Sequence, residues 1–85
     1  MSAKQVVVAN KARKQAHKLP SHIRQRFKFA LLQIKENPII GTKLHGELDS
    51  YYKYRMGDYR IVYSFNSKES IVTVVKVEHR QGVYK

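Results

Sequence analysis

The pattern of hydrophobic and polar positions predicts a strand and a short helix at the start of the chain. Residues 4–9 (KQVVVA) form a β-branched apolar run that is typical of a strand. Asn10 is expected to cap the following helix, because its side chain can accept a hydrogen bond from a free backbone N–H group. Ala12, Ala16 and Leu19 then recur at helical spacing, so they are expected to face the core.

A longer amphipathic helix is predicted over residues 21–36. Pro20 ends the first helix, Ser21 is expected to cap the second, and Asn37-Pro38 stops it. Two helices joined by such a tight link would form an antiparallel hairpin. The apolar stripe of the longer helix is expected to pack against a sheet, and it consists of Ile23, Phe27, Ala30, Leu31 and Ile34.

The second half of the chain has the alternating pattern of strands. Residues 38–50 contain two glycines and no clear period, so they are interpreted as a loop. The strands predicted after this loop span residues 51–56, 59–66 and 70–78, with turns at Gly57-Asp58 and near residues 66–68. The order β-α-α-β-β-β predicts an α+β fold, a helical hairpin packed on one face of a mainly antiparallel four-stranded sheet. Residues 1–85 are expected to form one domain.

The Gly57-Asp58 pair predicts the register of a hairpin. A two-residue loop with glycine first is typical of a type II′ turn. This turn places Arg55 opposite Arg60, and the other expected pairs are Met56–Tyr59, Tyr54–Ile61 and Lys53–Val62. Because side chains alternate across a sheet, Lys53, Arg55 and Arg60 share one face. The face toward the helices is expected to carry Tyr52, Tyr54, Ile61 and Tyr63.

Two arginines directly opposite each other repel, at a cost of up to ~1 kcal/mol. The sequence shows no residue that offsets the repulsion between Arg55 and Arg60. A bound phosphate would offset it, and a guanidinium group suits phosphate because it can donate two parallel hydrogen bonds. The alternative is that long basic side chains simply extend into water. Three cations on one face favour an anion-binding site.

The charge balance supports a polyanionic partner. The chain carries 17 Lys and Arg against 6 Asp and Glu, a net charge of +11. Nucleic acid or an acidic protein fits this imbalance better than a need for solubility. The absence of cysteine excludes disulfides and thiolate metal sites. The apolar run at residues 6–9 is too short for a signal peptide, and no segment is long enough to span a membrane. A soluble, cytoplasmic protein with no membrane partner is expected.

The C-terminal end adds candidate chemistry. The segment IVTVVKVE has apolar residues on both faces, which indicates a central strand. His79 and Arg80 follow it, Gly82 permits a turn, and Tyr84 stands next to the last residue. A tyrosine in that place is commonly a core plug or a frayed end; beside a basic face it could stack on a base or move a proton.

Two segments, LHGELDSYYKYRMGDYRIVYSF and VEHRQGVYK, resemble the RelE/ParE superfamily of bacterial toxins. The core GDYRIVY and the ending HR..VY are fairly specific together, and the likeness extends over the whole chain. Within the superfamily the chain is more similar to the RelE branch, whose members are ribosome-dependent mRNA endonucleases silenced by a cognate antitoxin. The resemblance therefore implies a bacterial or archaeal toxin of a type II toxin–antitoxin system, with the ribosome, mRNA and an antitoxin as partners.

The resemblance implies five catalytic positions in this sequence. Lys53 and Arg55 match the two basic positions before the turn, and Arg60 matches the arginine of the YR.VY motif. Arg80 matches the arginine after the last strand, and Tyr84 matches the C-terminal catalytic tyrosine. The second basic position is often lysine in the family; Arg55 keeps its charge but cannot transfer a proton.

The family chemistry needs no metal and no cofactor. The 2′-OH of the RNA attacks the adjacent phosphorus and gives a 2′,3′-cyclic phosphate and a 5′-OH. Arg60 and Arg80 are expected to stabilise the charge on the phosphate, and Lys53 to lower the pKa of Tyr84 or stabilise the oxyanion. Tyr84 is the expected base. His79 is a secondary candidate, because its unperturbed pKa suits proton transfer but the resemblance favours Tyr84.

Three other functions stay open from the sequence. A ParE-like toxin has the same fold but acts on DNA gyrase, and its members usually lack the Lys, Arg and Tyr set found here. A non-catalytic RNA- or ribosome-binding module would satisfy the charge alone. An inactive toxin relative would keep only its antitoxin-binding role. The toxin itself is expected to be a monomer within a hetero-oligomeric complex, wrapped by an acidic or apolar antitoxin segment.

Overall fold

Two helices cover one face of a mixed five-stranded sheet. The computed structural model describes residues 2–45 and 50–79. In chain order the elements are β1 (Gln5–Val8), α1 (Asn10–His17), α2 (Ser21–Glu36), β2 (Thr42–Lys43), β3 (Tyr51–Met56), β4 (Tyr59–Asn66) and β5 (Ile71–His79). The α+β class, the helical hairpin and the three C-terminal strands are thereby confirmed.

The strand order in the sheet is β1-β5-β4-β3-β2. β1 pairs with β5 in parallel, and the other neighbours are antiparallel. The predicted central position of the last strand is confirmed, because β5 is paired along both edges. This arrangement brings the first and last strands of the described chain side by side, and it leaves β3 near the opposite edge, next to β2.

The predicted four-strand count is wrong, because part of the segment interpreted as a loop is a strand. Thr42 and Lys43 pair with Lys53 and Tyr52 of β3, and the Leu44 N–H group donates to the Tyr51 carbonyl over 2.9 Å. A strand of two residues is too short to produce an alternating pattern. Its pairing is set by contacts from distant residues rather than by its own sequence.

The hydroxyl group of Tyr63 fixes the segment that leads into β2. It donates to the Pro38 carbonyl over 2.8 Å and accepts from the Gly41 N–H group over 3.0 Å. Gly41 packs so tightly that a Cβ atom there would lie 2.7 Å from the Lys53 carbonyl oxygen and 2.9 Å from the Tyr63 hydroxyl oxygen. Only glycine allows this approach of the loop to the sheet.

The two predicted side-chain caps are absent. The N-cap positions are Ala9 and Pro20, one residue before the predicted caps, and neither helix has a capping hydrogen bond from a side chain. The Ala9 N–H group donates a hydrogen bond to the Val74 carbonyl, so the residue that precedes α1 still pairs with β5. Asn10 and Ser21 are therefore the first helical residues, not the caps.

The core lies between the helices and the sheet. From α2, Phe27 and Ile34 are buried as predicted, and Leu31 is partly buried against the same cluster. The sheet contributes the fully buried side chains of Ile61, Tyr63, Val72 and Val74, with Tyr52 and Tyr54 packed against them. In the described part of the chain, neither helix has the length and apolar character needed to cross a bilayer.

Candidate functional site

The predicted hairpin register is confirmed and places three cations on the face of the sheet that points away from the helices. Arg55 pairs with Arg60, and Lys53 pairs with Val62. Gly57 has a φ of 64°, as a type II′ turn requires at its first central residue. The open face is defined here by the side chains of Lys53, Arg55, Arg60, Val62, Lys76 and Glu78.

A groove of about 330 Å³ runs beside the β3–β4 turn on this face. Its lining consists of Thr42, Lys53, Arg55, Gly57, Asp58, Tyr59 and Arg60. Three of these residues are cations and one is an anion, so the groove suits an anionic ligand. The short strand β2, which the sequence did not reveal, supplies Thr42 as the wall opposite the turn.

A second groove of about 310 Å³ adjoins the first, and the two share Lys53 and Arg60. The remaining lining residues are Leu44, Tyr51, Val62, Val75, Lys76 and Glu78. Both grooves carry three cations and one carboxylate, and the second groove adds apolar and aromatic walls. A chain of phosphates and flat bases has the same combination of charge and apolar surface.

The repulsion between Arg55 and Arg60 is offset within the protein, contrary to the sequence interpretation. The Arg60 Nε atom lies 3.8 Å from one carboxylate oxygen of Glu78, and the Lys76 ammonium lies 3.4 Å from the other. The side chains of Arg60 and Glu78 are about a quarter exposed, so this pair is not fully screened by water. Glu78 was missed because its position opposite Arg60 depends on an irregular β5.

The β5 irregularity is a bulge at Val75. Tyr63 pairs with Val74, whereas Val62 pairs with Lys76, so Val75 has no partner on β4. The extra residue moves Lys76 and Glu78 to the open face. The sequence gives no signal for this shift, because the β5 pattern is apolar on both faces.

A further cation approaches the β3–β4 turn from the helix side. The Arg55 Nε–H group donates to the Gly57 carbonyl over 3.3 Å. On the other side of the turn, a guanidinium nitrogen of Arg26 lies only 3.0 Å from where a Cβ atom on Gly57 would stand. Positive charge therefore continues from the open face around the turn to α2. Arg26 was not among the site residues predicted from the sequence.

His79 lies on the other side of the sheet from Glu78, since successive side chains of a strand alternate. It pairs with Tyr59, and the two rings meet edge to face with centroids 4.7 Å apart. Tyr59 in turn packs against the core. The His79 ring is thus held beside Tyr59 rather than among the cations of the open face.

Arg80 and Tyr84, the other two predicted site residues, lie outside the described residues. The structure therefore brings together Lys53, Arg55 and Arg60, and the roles of all five catalytic candidates stay predictions. Within residues 2–45 and 50–79, no group of three or more His, Asp or Glu side chains is placed to hold a metal ion.

Comparisons with known proteins place the chain in a family. Residues 6–84 match the family model described as the ParE toxin of the type II toxin–antitoxin system parDE. The chain is 32% identical to toxin RelG of Mycobacterium tuberculosis over 87% of both proteins. It is 36% identical to the mRNA interferase toxin RelE of Escherichia coli, over 84% of this chain and 77% of that protein.

The fold comparison agrees. The structure resembles a chain in the crystal structure of the toxin–antitoxin complex RelBE2 from Mycobacterium tuberculosis, with a TM-score of 0.83 and 29% identity. The match covers 94% of this chain and all of that one. The chain therefore belongs to the ParE toxin family of type II toxin–antitoxin systems, among the RelE-like toxins of the RelE/ParE superfamily.

Proposed function

We propose that this toxin is an endoribonuclease that cleaves mRNA on the ribosome and so arrests translation. The observation that carries the proposal is the pair of adjoining grooves on the open face, which share Lys53 and Arg60. A relative 36% identical over most of the chain is named an mRNA interferase. The net charge of +11 agrees with a polyanionic substrate.

In the proposed binding mode, the scissile phosphate lies between the two grooves. Lys53 and Arg60 contact its oxygens, and Arg55 and Thr42 bind on the side of the turn. An adjoining base lies over Leu44, Val62 and Val75 in the second groove, within reach of the Tyr51 ring. Base–aromatic contact of this kind is tolerant of sequence and adds about 1–3 kcal/mol per base.

The reaction is an in-line attack by the RNA on itself. The 2′-oxygen forms a bond to phosphorus and loses its proton to a base, while the bond from phosphorus to the 5′-oxygen breaks. The products are a 2′,3′-cyclic phosphate and a 5′-OH, and an acid supplies the proton for the leaving oxygen. Arg60 and Lys53 stabilise the negative charge that develops on the phosphate, which is the largest contribution such a site can make.

Tyr84 is the proposed base, and Arg80 the second charge stabiliser. A phenol can act as a base near neutral pH only if nearby cations lower its pKa, and the open face supplies such cations. The geometry of His79 supports this order of candidates, because its ring contacts Tyr59 on the side of the sheet away from Arg60. His79 stays the secondary candidate.

The proposed regulator is a cognate antitoxin with an acidic, partly apolar segment. A structure with the same fold is a toxin–antitoxin complex. The cations of the open face and the exposed side chains of Phe29 and Leu32 on α2 offer both kinds of contact that such a segment needs. The antitoxin would block the grooves or displace Tyr84, and the toxin would enter the complex as a monomer.

Cleavage in a translating extract tests the function. The purified protein is expected to cut mRNA that is bound to the ribosome and to leave 5′-OH ends. Primer extension locates the cuts, and end labelling detects the 5′-OH groups. Arg60→Ala should reduce the rate by about 10²–10³, the usual effect of removing a charge stabiliser. Arg13→Ala is the matched control, because Arg13 is an exposed cation on α1 and its loss changes the net charge equally.

One alternative has its own support, since the matching family model is named for ParE. A ParE-like toxin would inhibit DNA gyrase and leave mRNA intact. A gyrase supercoiling assay with the same protein separates the two activities. Gyrase inhibition that survives Arg60→Ala, together with uncut mRNA, would replace the nuclease with this alternative.

A further inference from the structure

The β5 bulge controls which face of the sheet receives Glu78. Beyond Val75, the observed register places Lys76 opposite Val62 and Glu78 opposite Arg60. A regular strand continued from the Tyr63–Val74 pair would place Glu78 opposite Tyr59 and Lys76 opposite Ile61. Both charges would then point to the side of the helices, where Ile61 is fully buried. The carboxylate can therefore contact Arg60 only while the bulge is held.

The neighbouring strand cannot hold the bulge, because β1 ends before it. The last backbone bond between the two strands runs from the Ala9 N–H group to the Val74 carbonyl over 2.9 Å. The chain then turns into α1, so within residues 2–45 and 50–79 no strand lies beside the β5 backbone after Val74 on that side. An N–H group of β5 in this region needs another acceptor, since an unpaired backbone donor at a packed position is costly.

Gln15 of α1 supplies that acceptor. Its side-chain oxygen accepts a hydrogen bond from the Val77 N–H group over 2.7 Å, across 62 positions of sequence. The side chain is only partly exposed, and the bond lies just beyond the bulge, between Lys76 and Glu78. The amide of Gln15 thus takes the place of the strand that β1 no longer provides.

We propose that Gln15 is a positioning residue for the open face. By accepting the Val77 N–H bond it holds β5 in the bulged register and keeps the Glu78 carboxylate beside Arg60. Gln15 touches neither groove, so it acts only through β5. Its effect on cleavage rests on the proposed nuclease function, whereas its effect on the register does not.

Two variants test the register directly. Gln15→Leu fills a similar volume without an acceptor, and Gln15→Glu keeps an acceptor of the same reach. In Gln15→Leu, amide hydrogen exchange at Val77 should be about tenfold faster, as expected for the loss of one ordinary hydrogen bond. Cross-strand nuclear Overhauser contacts for the pairs Arg60–Glu78 and Val62–Lys76 should weaken or disappear. Gln15→Glu should keep both signals.

Activity provides the second readout. Gln15→Leu should lower kcat/KM for mRNA cleavage about tenfold, because the slipped register takes the cation Lys76, and not only Glu78, away from the second groove and displaces the β5 wall of that groove. Gln15→Glu should restore most of it. Leu31→Ala on α2 is the control for lost stability. Leu31 packs against the core, and its apolar side chain cannot accept a hydrogen bond from β5. If Leu31→Ala lowers the melting temperature as much as Gln15→Leu but leaves the cleavage rate unchanged, the loss of activity in Gln15→Leu comes from positioning and not from general destabilisation.

The outcomes are distinct. If Gln15→Leu keeps the wild-type register and Val77 protection, the inference is wrong. If it does not fold, Gln15→Asn replaces it, since that amide stops one methylene short of Val77 and the same signals are expected to be lost. If the wild-type protein fails to cut mRNA, the proposed function fails, and the exchange and contact measurements still decide the role of Gln15.

Discussion

Glu78 and Arg60 face each other on neighbouring antiparallel strands, with 3.8 Å between a carboxylate oxygen and the guanidinium Nε atom. The same carboxylate also contacts Lys76 over 3.4 Å. The Glu78 carboxylate is thus already paired with Arg60, the cation on which the proposed phosphate contact depends. In the proposed binding mode, RNA must share or replace this internal partner of Arg60.

Glu78→Gln should therefore have opposite effects on stability and on RNA binding. Loss of the ion pair leaves Arg55 and Arg60 repelling each other, and the free energy of unfolding should fall by up to about 1 kcal/mol. Affinity for a short RNA should rise about three- to tenfold, since Arg60 no longer has a competing anion. Thermal melting and fluorescence titration measure the two effects.

The control for this variant is Glu36→Gln, at the exposed end of α2. It changes the net charge equally but lies away from the grooves. Equal gains in RNA affinity for both variants would mean that long-range charge, not release of Arg60, accounts for the result.

Gly41→Ala should destabilise the edge of the sheet. The added Cβ atom would lie 2.7 Å from the Lys53 carbonyl oxygen and 2.9 Å from the Tyr63 hydroxyl oxygen, so the loop must move away from β3. The expected loss is about 1–3 kcal/mol in the free energy of unfolding, as for other overpacked sites. Urea denaturation measures it.

Gly57→Asn is the comparison for that substitution. Gly57 has a positive φ that strains any residue with a Cβ atom, whereas its nearest obstacle is only the movable Arg26 side chain. The cost of Gly57→Asn should therefore come from the backbone, at about 1–3 kcal/mol. An unchanged free energy of unfolding would show that the turn relaxes to accept a side chain.

Tyr63 should make stability fall at alkaline pH. Burial raises the pKa of its hydroxyl group above the ordinary 10.0, while the hydrogen bond from Gly41 opposes the shift. Below that value both folded and unfolded states keep the proton, so the contribution is constant. Above pH 10 the unfolded state releases the proton first, and the free energy of unfolding decreases with pH.

The measurement compares wild-type protein with Tyr63→Phe by denaturant unfolding between pH 8 and pH 11. The variant should be less stable by about 1–3 kcal/mol at pH 8, because the Pro38 carbonyl and the Gly41 N–H group lose their partner. The difference should shrink above about pH 10, the ordinary pKa of tyrosine. A constant difference over the whole range would show that Tyr63 does not titrate differently in the two states.

Arg80→Ala and Tyr84→Phe should abolish growth arrest and mRNA cleavage without loss of the fold. Both residues follow β5 in sequence, and the fold is expected not to depend on them. His79→Ala should cost less activity than Tyr84→Phe, although it removes the ring contact with Tyr59 and should lower the melting temperature. If His79→Ala is inactive while Tyr84→Phe cleaves mRNA at the wild-type rate, then His79 and not Tyr84 is the base.

Association with the antitoxin should be fast and sensitive to salt. The net charge of +11 attracts an acidic partner over a distance, and salt screens that attraction. Stopped-flow measurements from low to high salt should show the association rate falling by about tenfold or more, with a smaller change in dissociation. A rate that is flat across this range would exclude electrostatic steering.

Local signals in the sequence were enough for much of this architecture. Gly57-Asp58 set the hairpin register correctly because a two-residue turn fixes the pairing of its strands. The stripe containing Phe27 and Ile34 located the core face of α2 for a similar reason, since helical spacing is a local property.

The features that the sequence did not reveal depend on distant contacts. The β5 bulge is not predictable from a run of valines, and the Val77 N–H group just beyond it donates a hydrogen bond to Gln15 on another element. The strand β2 is held by Tyr63, far along the chain. The offset of the Arg55–Arg60 repulsion by Glu78 follows only when the bulge is known. Long-range pairing, not residue type, determined these parts of the site.

The parallel pairing of β1 with β5 has a consequence for folding. Gln5 is paired with Ile71, so the sheet joins the two most distant strands of the described chain. Such non-local pairing is slow to form, because the entropy of closing a long loop is lost before the stabilising contacts between the strands form. A fragment that stops before β5 would lack the strand that separates β1 from β4, and with it Lys76 and Glu78. Under the proposed function, an incompletely synthesised copy of this toxin would therefore be harmless to the ribosome that is making it.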